Sequence, residues 1–537
     1  MAADRPTAPQ GAETGTGRDH GTGRSSDATR PARRRTRTRT RVAIAAVLAF
    51  VSLALVTGAN VVQGQRGGTS AYIALYQDGL GTGADGLVRS LPAGRDAEYL
   101  PGSRVVVPER ATDLPAARLQ AARERRWLAD GIVPGDGTQW EELVAGALLD
   151  LHALQGGRGT SGPVADTDER VVLAAWHPRW QYVWPRDTAF VAVALARTGH
   201  VEDAADALVA VGEAQADDGL LAPRYLPDLS GTPDDRPPQG DGPGWLLWSA
   251  GLTVEACEEQ AAGGGEEAGT DDGAGADADA GTGDPPDCAA VLEALAPMIE
   301  HSVTAVLAAT DGPSPLPEPT SDYWEIPEDR LPLGAVAPQW AGLQAAPALL
   351  EALGEDELAD RARGRADALG QALEASYGVR GWTRYASWDP TAAVRGVSGR
   401  DASTSFLLPP FTEAPPAGAE AAWLVSAGEM ARPAGGLAPG SSWRRDGISW
   451  TPQTSLYAWV AAVNDRPDDA VRRLAWVEAH RTASGAIPEK VLADGSPAAV
   501  APLAWSAANV VLAVLALEEA GQLPAEIPTA EGQGSAD

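Results

Sequence analysis

Three stretches of the 537-residue chain set carboxylates among aromatic rings. They are Trp176-His-Pro-Arg-Trp180-Gln-Tyr-Val-Trp184-Pro-Arg186-Asp187, Ser321-Asp322-Tyr323-Trp324-Glu325, and Ile487-Pro488-Glu489 followed by Trp505-Ser506. Cleavage of a glycosidic bond needs two carboxyls, one to protonate the leaving oxygen and one to activate water on the opposite face. Taken alone, a Glu is a solvated surface charge. Glu325 stands beside Tyr323 and Trp324, whose rings are expected to strip water from it, raise its pKa and suit it to be the acid. Glu489 is the carboxylate of the third stretch. Its neighbour Lys490 is the only lysine in the chain. A cation there would lower the pKa of Glu489 and keep it ionised; equally, a salt bridge would fill the place of the attacking water.

Helical patterns recur around these segments. Trp140, Leu143, Val144, Ala147, Leu148 and Leu151 share one helical face, and similar patterns run through 187–199, 201–216, 243–259, 287–309, 338–354, 356–375, 419–431, 453–464, 467–480 and 503–521. Close to a dozen helices, few convincing strands, uneven loops and no internal repeat point to a closed ring of helical hairpins. The candidate carboxylates fall in loops between helices, and Arg186-Asp187 falls at a helix start. Seventeen Trp against four Phe is an unusual balance. Trp offers a flat apolar face and one N–H donor, which suits a sugar ring, although most of these rings are expected to fill the core.

Over roughly residues 115–520 the order of these motifs resembles glycoside hydrolase family 15, the glucoamylases and glucodextranases. The resemblance implies an all-α (α/α)6 barrel and exo-acting hydrolysis of α-glucosidic bonds from non-reducing ends, with inversion of the anomeric centre. It assigns Glu325 as general acid and Glu489 as general base. It assigns Trp184, Arg186 and Asp187, of a Trp-x-Arg-Asp motif, to the terminal sugar, along with Asp322 and Trp324 of Asp-x-Trp-Glu. Trp505, next to Ser506, closes the same subsite. Of the pair Arg444-Arg445, Arg444 is the preferred sugar-binding residue. Gln239-Gly-Asp241 and Trp245-Leu-Leu-Trp248 resemble the segment entering a central helix, and Asp401-Ala-Ser-Thr404 a structural segment of bacterial members. Two positions depart from the pattern: Ile326 stands where a second Glu is common, and Lys490 where Gln is. They leave open a second reading, a catalytically silent surface protein that binds glycans or serves envelope assembly. The resemblance implies no cofactor.

Net charge bounds the partners. The chain carries −31, yet residues 1–41 hold ten Arg against four acids, so the remainder is near −37. So acidic a body argues against nucleic acid and is compatible with a neutral polysaccharide. No G-x-S-x-G, Walker motif or Cys-x-x-Cys occurs, which disfavours serine hydrolase, nucleotide and zinc chemistry. The expected organisation is a disordered basic tail 1–41, an apolar membrane-spanning signal anchor 42–62 and a juxtamembrane spacer or small irregular N-terminal extension 63–114. A catalytic domain 115–522 follows, carrying an acidic low-complexity insertion 260–286, and then a loose acidic tail 523–537. A cleavable signal peptide is the rival reading of 42–62; both place the body outside the cell membrane. There Cys257 and Cys288, which flank the insertion, are expected to pair as a disulfide, with two free thiols as the alternative. The body is expected to be a monomer. Gly81-Thr-Gly83-Ala-Asp-Gly86 matches G-x-G-x-x-G but lacks the long helix a dinucleotide fold needs, so it reads as a loop of the spacer.

Overall fold

A computed structural model describes residues 72–95, 97–156, 171–267, 286–386 and 399–528. Among these residues are the α-helices α1 (Leu114–Ala129), α2 (Glu141–Leu154), α3 (Pro185–Arg197), α4 (Val201–Glu213), α5 (Gly242–Glu267) and α6 (Cys288–Thr310). They continue with α7 (Leu333–Ala352), α8 (Asp356–Ser376), α9 (Ala419–Met430), α10 (Thr451–Val463), α11 (Pro467–Ala479) and α12 (Ala504–Glu519).

Two kinds of helix alternate. α3 is buried without a break from Pro185 to Ala196, α10 from Thr451 to Ala462 and α12 from Ala504 to Leu515. A helix apolar all round must lie inside. α8 instead buries one stripe, Ala359, Ala362, Ala366, Leu369 and Leu373, and turns its charges to water. The inner elements close a circuit. α3 packs on α5, α5 on α7, α10 on α12, and α12 back on α3. Between α7 and α10 the circuit is completed by a 3-10 segment, Ala402–Leu407, in contact with both. Outside lie α2, α4, α6, α8, α9 and α11, packed in order on α12, α3, α5, α7, the 3-10 segment and α10. The expected (α/α)6 ring is present, with its fourth inner helix reduced to a short turn. The Asp401 side chain caps that turn by accepting from the Ser403 N–H, and Pro409-Pro410 directly beyond it cannot continue a helix.

α5 and α7 approach backbone to backbone. A Cβ on Gly244 would stand 2.3 Å from the Pro338 carbonyl oxygen, and one on Gly342 2.6 Å from that of Gly244. Cys257 of α5 and Cys288 at the start of α6 form a disulfide, so they are not free thiols. α5 continues to Glu267, several residues into the expected insertion, whose residues 268–285 lie outside those described. The expected tail 1–41 and anchor 42–62 also lie outside them. Among the described residues one helix, α6, is long and apolar enough to cross a membrane, and it is an outer helix packed on α4 and α5.

Two expected boundaries need correction. Of the two readings of the N-terminal region, residues 72–114 are an extension rather than a spacer, and it is more regular than expected. Strands β1 (Gln77–Thr82) and β2 (Val88–Pro92) form an antiparallel hairpin; of the G-x-G-x-x-G residues, Gly81 and Thr82 end β1 and the remaining four lie in the turn. Buried polar groups dock the hairpin to the barrel: Gln77 Nε2 donates to the Ala501 carbonyl at 2.7 Å, and Asp78 Oδ1 accepts from Ser484 N–H at 2.8 Å. Arg104 pairs with Asp150 at 2.7 Å and donates to the Ser484 carbonyl. A segment anchored by polar side chains reads as solvated until its partners are known, and those at Ser484 and Ala501 lie 380 to 424 residues away. The tail is likewise held at its start, where the Trp140 indole N–H donates to the Pro524 carbonyl and the Gln139 N–H to that of Ala525. Residues 529–537 lie outside those described.

Candidate active site

Five of the six connections that lead from an outer element to the next inner one meet at a cavity of about 340 Å³. Each contributes by a local device. Trp184 caps α3 in an extended conformation and Pro185 opens the helix, its fixed φ suited to a first turn. Arg186 and Asp187 are thereby set at the helix mouth, and paired backbone hydrogen bonds between Val183 and Tyr225 hold the approach.

Glu325 is placed by a tight turn. Its N–H donates to the Asp322 carbonyl at 2.7 Å, while Asp322 Oδ1 accepts from the Trp324 N–H at 3.0 Å. Glu325 itself has φ +52°, a left-handed conformation costly for a residue with a side chain. Its Oε1 accepts from the Trp184 indole at 2.8 Å with Arg186 at 3.5 Å, and its Oε2 accepts from Arg236 at 2.6 Å.

Glu489 directly precedes the central strand of a three-stranded sheet of β5 (Ser449–Trp450), β6 (Lys490–Val491) and β7 (Pro497–Ala498), in the order β5-β6-β7. Its N–H donates to the Val500 carbonyl, and its own carbonyl accepts from Thr451, whose hydroxyl meets that of Ser506 at 2.7 Å. Ser506, expected at the site, thus braces it from behind. The register sets Lys490 opposite Trp450. The Lys490 ammonium lies 4.1 Å from the centre of the Trp450 ring and 3.1 Å from Glu489 Oε2.

Burial raises the Glu489 pKa above the ordinary glutamate value, and Lys490 and a hydrogen bond from Trp180 only partly oppose it. Lys490 pulls this pKa down, as expected of a neighbouring cation, but desolvation outweighs it. Burial also pushes Asp187 up to about 6 against the pull of Arg186, and Asp241 up to about 7. If Glu489 acts as base, activity falls as pH drops through its pKa. Lys490→Met removes the cation that holds this pKa down, so the acidic limb of the kcat/KM profile is expected to move to higher pH. An unmoved limb would show that another group sets it.

Glu325, Glu489, Trp184, Arg186, Asp187, Trp324 and Trp505 all line the cavity; Asp322 and Arg444 do not. Asp322 is wholly buried, and both of its oxygens accept from Arg384, at 2.7 and 2.8 Å. It shapes the turn that carries Glu325 and does not face the cavity. Arg444 is exposed with its guanidinium 5.7 Å from the Trp443 ring centre; the cavity is lined by that ring. The cavity also includes Arg224, Trp450 and Gln453, and Arg236 contacts Glu325 from the connection between α4 and α5. Trp450-Thr-Pro452-Gln453 repeats the device of Trp184-Pro185-Arg186, a Trp ahead of a helix that opens on Pro, and could have been found by it. Arg224 and Arg236 carry no such signal.

Several polar atoms of the lining have no hydrogen-bond partner among the described residues. They are Arg186 Nε and Nη1, Gln453 Oε1 and the indole N–H groups of Trp324, Trp443, Trp450 and Trp505. Buried donors are ordinarily satisfied. Converging on one cavity amid aromatic faces, they suit a ligand that carries hydroxyl oxygens on a ring with apolar C–H faces. Among the described residues no group of three or more His, Cys, Asp or Glu could hold a metal ion.

No family model matches the sequence, and no curated protein matches it. Solved structures do match in fold. A wild-type glycosidase superposes with TM-score 0.53 at 20% identity, covering 71% of this chain and 97% of that one. A variant of a glycosidase in complex with glucose gives 0.52, at the same identity and coverage. A bacterial glucoamylase complexed with acarbose gives 0.56 at 15% identity, covering 78% of this chain and 61% of that one. The chain therefore has the six-hairpin fold of these glycosidases.

Proposed function

We propose that the protein is a glycoside hydrolase that removes the terminal sugar of an α-glucan or α-glucoside from its non-reducing end, by single displacement with inversion. The observation that carries this reading is the cavity itself: two carboxylates from different loops, facing a set of unpartnered indole and guanidinium donors. Known structures of this fold hold glucose and acarbose, which supports the same class of ligand. In the reaction, Arg186 and the Trp324 and Trp505 indoles hold the sugar hydroxyls. Glu325 protonates the glycosidic oxygen. Its Oε1 stays on Trp184, and the incoming substrate displaces the exposed Arg236 from Oε2. Glu489, fixed through Thr451 and Val500, takes a proton from the attacking water.

The test is a panel of α-1,4, α-1,6 and α,α-1,1 glucosides with the product followed by NMR. Initial release of β-glucose is the expected result. α-Glucose as first product would mean retention and require a nucleophile in place of a base.

The ion pairs Arg236–Glu325 and Lys490–Glu489 favour a second reading, a silent glycan-binding protein in which both carboxylates stay neutralised. Glucoside binding without glucose release would select it. We further propose that residues 42–62 anchor the protein with its barrel outside the cell membrane. The disulfide is compatible with that oxidising side, and the proposal fails if the full-length chain washes free of membranes at alkaline pH.

A further inference from the structure

Arg236 holds the acid in a state that cannot act. Its Nη1 donates to Glu325 Oε2 at 2.6 Å, and the Trp184 indole donates to Oε1 at 2.8 Å. Both oxygens are therefore acceptors, whereas a general acid must present a hydrogen on one of them. Arg236 is also tethered. Its Nε lies 3.2 Å from Asp234 Oδ2, the same oxygen that accepts from Arg224 Nη2. Arg224 lines the cavity, with its guanidinium 4.7 Å from the Tyr182 ring centre and 5.3 Å from that of Trp184. Its Nε is buried and has no hydrogen-bond partner among the described residues. When Glu325 takes up a proton, Arg186 keeps Asp187, but one Asp234 oxygen is left to serve two guanidinium groups. The acid side of the cavity then carries an unmatched positive charge, in a chain whose net charge is −31.

We propose that the leaving group of the substrate carries a carboxylate, so that the protein cleaves the α-glucoside of a small hydroxy acid in preference to a neutral glucoside. The inference rests on the reading that Glu325 protonates the glycosidic oxygen of a terminal sugar. Arg236 Nη1 stands beside the oxygen that delivers this proton, which is where the leaving group lies. A substrate carboxylate replaces that of Glu325 as its partner, one anion for another, and Asp234 keeps the arginine at the site. Glu325, released, takes a proton from solvent and passes it to the glycosidic oxygen. The bond from the sugar to that oxygen breaks, water adds to the sugar and gives its proton to Glu489, and the hydroxy acid departs. Glu325, again a carboxylate, recovers Arg236 and so competes with the bound product. A neutral glucan offers no charge to draw Arg236 away, and it must break a charge-assisted hydrogen bond without replacing it.

The experiment compares the α-glucosides of glycolate and of glycolamide, which match in shape and differ in charge, using the full-length protein. Wild-type kcat/KM is expected to favour the glycolate by roughly tenfold or more, the worth of one hydrogen bond between charged groups. Arg236→Ala is expected to abolish this preference from both sides. The glycolate glucoside loses its partner and is cleaved more slowly; the glycolamide glucoside is cleaved faster, because Glu325 Oε2 is no longer occupied. Equal wild-type kcat/KM for the pair, in a protein that cleaves maltose, overturns the inference and leaves the hydrolase reading standing. If Arg236→Ala slows both glucosides in proportion, the arginine only positions Glu325 and the inference is overturned. Wild-type protein inert to the pair and to maltose would overturn the hydrolase reading, and the inference with it.

Discussion

Glu325→Gln is expected to lower kcat on maltose by roughly 10²–10⁴-fold, the usual worth of a positioned proton donor or acceptor, with little change in KM. Glu489→Gln is expected to do the same. The amide keeps the shape of each side chain and, at 325, an oxygen for the Trp184 indole. What it loses is the proton transfer. The two roles separate on α-glucosyl fluoride, because fluoride leaves without being protonated. There Glu325→Gln should retain most of its rate, while Glu489→Gln, still lacking a base for water, should not. The opposite pattern would exchange the assignments. That outcome is a real alternative on physical grounds, since burial raises the pKa of Glu489, the property expected of an acid. The turn that holds Glu325 in a left-handed conformation supports a site built for geometry at that position.

The second large effect concerns stability. Arg384 is 1% exposed and pairs with three carboxylates: Asp322 at 2.7 Å, Asp401 at 2.6 Å and Glu328 at 2.7 Å. Its guanidinium also lies 3.8 Å from the centre of the Trp324 ring. Burial raises the pKa of Asp401 and of Glu328 against the pull of this one guanidinium. Arg384→Met would leave the three carboxyls buried without a cation. Breaking a buried pair by removing one partner costs about 3–5 kcal/mol, and a loss of that order is expected in urea unfolding. Arg384→Lys should rescue little, because a point charge cannot serve Asp322 on two oxygens and reach the other two acids. Activity should fall beyond the loss of folded protein, since the Asp322 turn carries Trp324 and Glu325. A loss under about 1 kcal/mol would show that the cluster does not hold the turn.

Arg384 also marks where reading the chain stops. Trp382-Thr-Arg384-Tyr385 offers no periodicity or motif, and the carboxylate partners of Arg384 are 17 to 62 residues away. Asp322 was legible as a member of an Asp-x-Trp-Glu motif, but whether its carboxylate faces a ligand or an arginine depends on a fold contact. Arg444 shows the converse. Its place in the chain suggested the site, and the backbone between Gly440 and Ser449 turned Trp443 inward in its stead.

What the amino-acid sequence determined by itself is local. The 3.6-residue spacing of apolar side chains marked nearly every ring helix, because burial of a helix face repeats within a few residues. It overlooked the charged α1, whose buried stripe is thin. Pro185 and the Trp-rich segments marked the loops that carry Glu325, Glu489, Trp184, Arg186, Asp187, Trp324 and Trp505, because helix starts and aromatic clusters are also short-range features. The tertiary structure decided everything that balances terms from distant parts of the chain. It set the pKa direction of Glu489, where burial by the whole ring outweighs the adjacent lysine. It docked the N-terminal hairpin through buried Gln77, Asp78 and Arg104. It brought Arg236 onto Glu325 across 89 residues. Solvation and ion pairing depend on what surrounds a charge in space, and neighbours along the chain supply only part of that surrounding.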